Sequence, residues 1–543
     1  MKKITGNLVD VVKDKIYPAI VYIENGTITK IEETTETYST CLLPGIIDSH
    51  IHIESTLLTP EHYAREAVRH GVIGAVADPH EIANVLGTKG VDFMIENGKR
   101  TPFYFWFGAP SCVPSTPLEP AGAKLGPTEI EELLSRDDMH FLAEMMDYPG
   151  VIGADGEVMS KINSANRHGK PIDGHAPMMS SSDVKLYAAA GISTDHECTT
   201  IEEAVEKMSL GMKVLIREGS AARNFDALHP IIATHPTQVM FCCDDMPAET
   251  LLEDYLLASI RKAIQYGYNP YDVIRCASLN VAKHYAIPAG LLQEGDSADL
   301  IEIDSLESFQ ILKTVIKGNV VFDKNASPSI PSASEVKPIN RFDCEKITLE
   351  DIQVKSTGKR IKVIDCVCGD LLTEIHLSEP KVKDGNIVSN PDEDVLKLVA
   401  INRYCPKELS VGFIRGIGIK RGAMATSISH DNHNLVVVGA SNEEIVKATN
   451  LLIDNKGGMV VTNNDKSETL QLEIAGLMTH RTAKEVAHIQ ERIKALVAEM
   501  GSELEDPFLT LSFMSLIVIP KIKLSSKGLF DVQKFEFTSL FEE

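Results

Sequence analysis

Six side chains in this sequence have the types and the spacing to build a hydrolytic centre. His50 and His52 lie in PGIIDSHIHIEST, Glu144 closes the run LAE, and His175 follows Asp173 in IDGHAP. His196 sits in STDHE, and Asp244 ends QVMFCC. In a strand, residues i and i+2 share a face, so His50 and His52 can aim at one point. One HxH says little, because a lone histidine is more often a hydrogen-bonded core residue than a ligand. Recurrence at the ends of successive apolar runs reverses that reading. Imidazole suits zinc, iron and manganese, and a carboxylate can bridge two cations. Placing His50, His52 and Asp244 on one ion, His175 and His196 on the other, and Glu144 between them leaves room for shared solvent. Such a pair lowers the pKa of that solvent, and an aspartate at the rim can take its proton. Asp245 leaves the last position open by one residue.

The elements that must position these groups follow from the pattern. From Leu42 onward, apolar runs end in polar or glycine-rich tips and are followed by helix-like stretches such as PEHYAREAVRHG, SSDVKLYAAAG and TIEEAVEKMSLG. Tips at His50/His52, Asp78, Gly108, Glu144, His175, His196, Arg217 and Asp244 recur at roughly the 30 residues of a strand-helix unit. Eight such units predict a (β/α)8 barrel over residues 44–285, with function at the C-terminal ends of its strands. Residues 1–43 read as short strands, with Asn25-Gly26 a hairpin signal. Short strands return over 286–323, and the two segments are expected to join in a small composite β-sandwich. Residues 324–339, rich in proline and serine, read as a linker. Residues 340–543 alternate strand and helix patterns and predict a separate C-terminal α+β domain, so the whole chain is of α/β class.

Composition narrows the partners. Acidic residues outnumber basic ones 77 to 53, a net charge of −24 over 543 residues. That field repels phosphate backbones and anionic lipid, so neither nucleic acid nor a membrane surface is expected as a partner. No apolar run is long enough to span a bilayer, and the lysines at the start are followed by Asn7, Asp10 and Lys13 rather than a signal-like core. The ten cysteines show no paired CxxC spacing and read as reduced thiols, which points to the cytoplasm.

Longer motifs carry a resemblance. PGIIDSHIHIE and ADLIEID resemble the amidohydrolase superfamily. VADPHEIANVLG (76–87), APSCVPSTPLE (109–119), REGSAARNFDAL (217–228) and SHDNHN (429–434) are similar to the bacterial adenine deaminases, and the similarity covers nearly the whole chain. The resemblance implies deamination of adenine to hypoxanthine and ammonia by two divalent ions, manganese foremost, with iron or zinc as alternatives. It makes His50, His52, Glu144, His175, His196 and Asp244 metal ligands, with Glu144 bridging. It adds Asp244 as general base and Asp78 as a residue at the site. Arg217 and Glu218 could orient the purine or cap a loop, and Ser111 could line the pocket. His430 could serve a lid, a further metal site or a turn. The sequence departs from the family at MPAET after the two aspartates and at Glu473. A small-molecule substrate and a homo-oligomer are expected. Two rival readings remain: another amidohydrolase reaction on the same ligands, or a binding protein that kept the barrel.

Overall fold

The computed structural model describes residues 1–219, 223–326, 330, 336–366 and 371–542. Much of the expected linker, and Ser220 to Ala222 of the REGSAARN tip, lie outside the described residues. The chain forms two compact units. One comprises Met1–His80, Val91–Cys112 and Leu125–Glu335; the other comprises Glu81–Gly90, Val113–Lys124 and Val336–Glu543.

The first unit begins with a sheet drawn from both flanks of the barrel sequence. Strands β1 (Lys2–Asp10), β2 (Lys15–Glu24), β3 (Thr27–Glu33) and β4 (Cys41–Pro44) come from the N-terminal flank. Asn25 and Gly26, both at positive φ, turn the hairpin between β2 and β3, as the primed turns of hairpins require. The later flank supplies Leu300–Ile303, Ile311–Ile316 and Asn319–Asp323, and Leu300 pairs antiparallel with Pro44. All seven strands form one sheet whose core holds Leu8, Val21, Ile23, Leu42, Leu300 and Val315. The two flanks therefore meet as expected, but in one seven-stranded sheet rather than a two-sheet sandwich.

The barrel strands are β5 (Ile46–His52), β6 (Val72–Ala77), β7 (Tyr104–Ala109), β8 (Phe141–Met145), β9 (Ile172–Gly174), β10 (Thr194–Asp195), β11 (Lys213–Arg217) and β12 (Val239–Cys242). Each ends at or within two residues of an expected tip. Within each of the two sheets these strands form, every pairing is parallel, and Asp244–Asp245 (β13) pairs with Ile51 and His52 of β5. Residues of β5 and β6 are buried without exception, because a parallel strand under crossover helices has no solvent face. Gly74 is fixed by packing: a Cβ there would lie 2.4 Å from the Trp106 ring. Between β9 and β10 no ladder forms; Ser193 N donates to Ile172 O at 2.9 Å, and Gly174 N donates to the Thr194 hydroxyl at 3.2 Å.

The second unit contains an eight-stranded mixed sheet that includes Leu396–Ile401, Leu409–Arg415, Ala423–Thr426, Leu435–Gly439 and Gly458–Asn463. Helix Asn442–Asp454 buries Ile445, Ala448 and Leu452 against Val399, Val437 and Val460 of that sheet. Thr482 and Glu485 form a capping box at the start of helix Ala483–Glu499, satisfying two of its unpaired N–H groups. No helix among the described residues is long and apolar enough to cross a membrane.

Candidate active site

The tips of β5, β8, β9, β10 and β13 bring all six sequence-selected side chains together. Glu144 lies at the centre. Its Oε1 is 3.2 Å from His52 Nε2, and its Oε2 is 2.9 Å from His175 Nδ1, 3.2 Å from His196 Nε2 and 4.0 Å from His50 Nε2. Asp244 Oδ1 completes one side, at 3.3 Å from His50 Nε2 and 3.2 Å from His52 Nε2. Its neighbour Asp245 accepts instead from the Ser55 hydroxyl, which separates the two aspartates. Asp244 faces the histidines from a left-handed backbone at φ 58°, a conformation that costs a non-glycine residue roughly 1 kcal/mol or more.

The electrostatics are those of a negative pocket. Burial works against a charged His52, but the Asp244 and Glu144 carboxylates outweigh it and raise its pKa well above the ordinary value. His175 is pushed up to about 9 against its burial, with Glu197 and Glu144 responsible. His196 moves upward for the same kind of reason, with Glu144 its main support. Burial would favour the acid form of Glu144 and of Asp244, yet both are held well below the carboxylate range, by His175 and its neighbours and by Arg217 respectively. His50 moves the other way, because burial and the nearby His196 disfavour a second positive ring.

These groups fit a pair of cations. Among the described residues, neither ring nitrogen of His50 nor Nε2 of His196 finds a hydrogen-bond partner, although all three atoms are buried. Two sets, His50 with His196 and Asp244, and Glu144 with His175 and His196, place donor atoms within 4.8 Å of one another. Divalent charge would take the place of the protons that the carboxylates otherwise draw onto the imidazoles. His52 Nδ1 donates to the Asp78 carbonyl at 3.1 Å, which fixes the tautomer and leaves Nε2 toward Glu144 and Asp244.

Other expected residues are placed as follows. Asp78 lies at the site: its Oδ2 accepts from His80 Nδ1 at 2.9 Å, and Asp78, His80, His52 and Glu144 form a further buried donor group. Arg217 bridges Asp244 Oδ2 and Glu197, with Nη1 2.8 Å from Glu197 Oε1 and Nη2 3.0 Å from Oε2. Glu218 is drawn away to Lys262 Nζ at 3.3 Å. Ser111 donates its hydroxyl to the backbone carbonyl of Glu144, beneath that side chain. His430 belongs to the second unit, where Glu81 accepts from both His430 Nδ1 and His433 Nε2 and all three are buried. Within that unit Glu473, the departure noted in the sequence, accepts from His480 N at 3.0 Å and the Thr479 hydroxyl at 3.2 Å.

Two groups at the site were not anticipated. His80 follows Asp78 by two residues at the same tip, the spacing that marks His50 and His52. Glu197, next to His196, lies 3.5 Å from both His175 Nδ1 and His196 Nε2. Its adjacency to an expected ligand was the available signal.

Comparison with known proteins adds the lineage. Residues 41–321 match the Amidohydrolase family and residues 370–536 match the Adenine deaminase C-terminal domain. The chain is 47% identical over 540 residues to the adenine deaminase of Parabacteroides distasonis, covering 99% of this chain and 98% of that protein. It is 45% identical over 556 residues to the adenine deaminase of Methanosarcina mazei, with both chains fully covered. Among solved structures, N-acetyl-D-glucosamine-6-phosphate deacetylase from Mycobacterium smegmatis is similar at 14% identity with a TM-score of 0.46, over 59% of this chain and all of that one. Matched from end to end at such identity, the chain belongs to the adenine deaminase family of amidohydrolases.

Proposed function

We propose that this protein hydrolyses adenine to hypoxanthine and ammonia, with His50, His52, Glu144, His175, His196 and Asp244 holding two divalent cations. The hydrolytic reading is carried by one observation: Glu144 sits within 4.0 Å of all four histidines. The choice of adenine rests on full-length similarity to proteins of that name. When bound, two divalent cations, manganese foremost, would lower the pKa of shared solvent enough for attack at neutral pH.

The side chains supply the rest. Water adds at C6 of the purine, the exocyclic amine leaves as ammonia, and the C6 oxygen of hypoxanthine comes from that water. Asp244 accepts the proton released on addition and returns it to the departing amine. Arg217 keeps Asp244 ionised and orients it, while its remaining donors hold Glu197 beside His175 and His196. Asp78 fixes His80 through their 2.9 Å hydrogen bond, so a second proton-carrying pair stands 3.5 Å from Glu144 Oε1. Proton donation to a ring nitrogen, which must accompany attack on C6, is the natural task for that pair, and the C6 hydroxyl proton, released as the carbonyl of hypoxanthine forms, restores it. Neutral adenine needs no electrostatic steering, in keeping with a net charge of −24. The reading places the enzyme in the cytoplasm as a homo-oligomer acting on a small molecule.

Ammonia release from adenine, guanine, cytosine and adenosine, measured in parallel on manganese-loaded protein, tests the assignment. Turnover of adenine alone is expected; activity confined to a different base would overturn it.

A further inference from the structure

The backbone ladder of the barrel is broken where the histidines stand. The β5–β6 register slips between Asp48 and Ile51, across Ser49 and His50. The β11–β12 ladder ends at Cys242, so Cys243, which precedes Asp244, falls outside it. The third break is the seam between β9 and β10, which belong to different sheets. A buried N–H outside a ladder must find another acceptor.

Three aspartates, all at most 1% exposed, lie at these breaks. Asp48 Oδ1 accepts from His50 N at 3.2 Å and from Cys243 N at 3.3 Å, tying β5 to β12, and its Oδ2 accepts from the Tyr255 hydroxyl at 2.8 Å. Asp173 of β9 accepts from the Thr194 hydroxyl of β10 at 2.9 Å, which ties the two strands, and from the Tyr285 hydroxyl at 2.9 Å. Asp195 Oδ2 accepts from Ala176 N at 3.1 Å, next to His175, while its Oδ1 accepts from Glu197 N at 2.6 Å, next to His196. Lys207 neutralises Asp195 at 2.9 Å and also donates to Ala176 O at 2.7 Å.

We propose that Asp48, Asp173 and Asp195 are positioning residues that splice the broken ladder in two separate pairs. Asp48 holds His50 to Asp244. Asp173 with Asp195 holds His175 to His196. Hydrogen bonds from backbone N–H groups to a fixed carboxyl oxygen are directional, which suits Asp48 and Asp195 to fixing a ligand's main chain, while Asp173 ties the strands through hydroxyls. The pairing matches the division of ligands between two cations, so each splice governs the retention of one cation. The inference rests on the metal reading above.

Release of manganese from the full-length loaded protein under a graded chelator tests it, alongside melting temperature and the KM for adenine. The parent is expected to release two ions. Asp48→Ala and Asp195→Ala should each release one ion at roughly tenfold lower chelator and keep the other at the parental value, as loss of a partner behind a metal ligand commonly does. The double variant should release both early. Asp48→Asn, whose amide oxygen can still accept from His50 N and Cys243 N, should restore retention. Where an alanine variant fails to fold, Tyr255→Phe and Tyr285→Phe remove one hydroxyl from each splice, with the same early release of one ion expected. The KM for adenine should stay within about twofold while kcat falls. Release curves that superimpose on a two-ion parent, or both ions moving together in a single variant, would overturn the inference while leaving the metal reading intact. A parent that binds no manganese would overturn both.

Discussion

The two ends of the barrel bury the same residue type to opposite effect. At the C-terminal tips, His52 and His196 are buried and His175 half-buried among carboxylates, and their pKa values rise, whereas His50 moves down because burial and the neighbouring His196 outweigh its carboxylates. His70 precedes β6, and His284 Nε2 lies 3.3 Å from the hydroxyl of Ser193, just ahead of β10. Both therefore stand at the N-terminal ends of strands. Burial pushes each down to about 4, with the positive charge of Lys213 adding to the effect at His284. Burial alone therefore makes a neutral structural histidine. At three of the four sequence-selected tip histidines carboxylates outweigh the loss of water, in line with the division of labour between the two faces of such barrels.

The sharpest way to break the comparison is to remove its central charge. Glu144→Gln should lose one cation per chain and at least 10³-fold in turnover, read by elemental analysis and ammonia release, because an amide bridges cations poorly. Asp244→Asn should lower kcat by roughly 10²–10⁴-fold, the usual worth of a positioned proton carrier, with little change in KM. Arg217→Met should follow with roughly a tenfold to hundredfold loss, since Asp244 and Glu197 would then lack their shared cation.

The smallest effect belongs to the other end. With a folded pKa of about 4 against about 6.5 unfolded, His284 gives up stability as pH falls from 6.5 toward 4, because the unfolded chain takes the proton first. The shift corresponds to roughly 3 kcal/mol at full protonation. His284→Gln should leave turnover unchanged at pH 7.5 and flatten the loss of stability between pH 7 and 4.5 by about 2 kcal/mol, measured by denaturant unfolding at both values. Equal slopes in parent and variant would show that its burial is not what sets its protonation.

Much of the fold and of the candidate site was legible in the sequence. The six side chains stood out because strand tips carry chemistry at a regular spacing, and β5, β8, β9 and β10 end where the polar residues begin. Short strands on both flanks, separated by a continuous barrel, pointed to their joining, though as a sandwich rather than the single sheet they form. The hairpin at Asn25-Gly26 was readable because its turn needs residues that tolerate positive φ. Less legible was the assignment of Glu81–Gly90 and Val113–Lys124 to the second unit, since local periodicity says nothing about which core a helix or loop joins. Glu218 and Arg217 are neighbours on one tip, yet one turns to Lys262 and the other to Asp244. Side-chain direction past a strand end depends on partners distant in sequence. The same holds for Asp48, whose acceptor role appears only once the β5–β6 register is known to slip beside it.

The proposed function rests on six side chains from five tips holding two cations around Glu144. Anomalous diffraction from manganese-soaked crystals of the full chain tests it most directly. Two peaks are expected, one ringed by His50, His52 and Asp244, the other by His175 and His196, with Glu144 between them. A single peak elsewhere, or no peak among these residues in protein that turns over adenine, would contradict it.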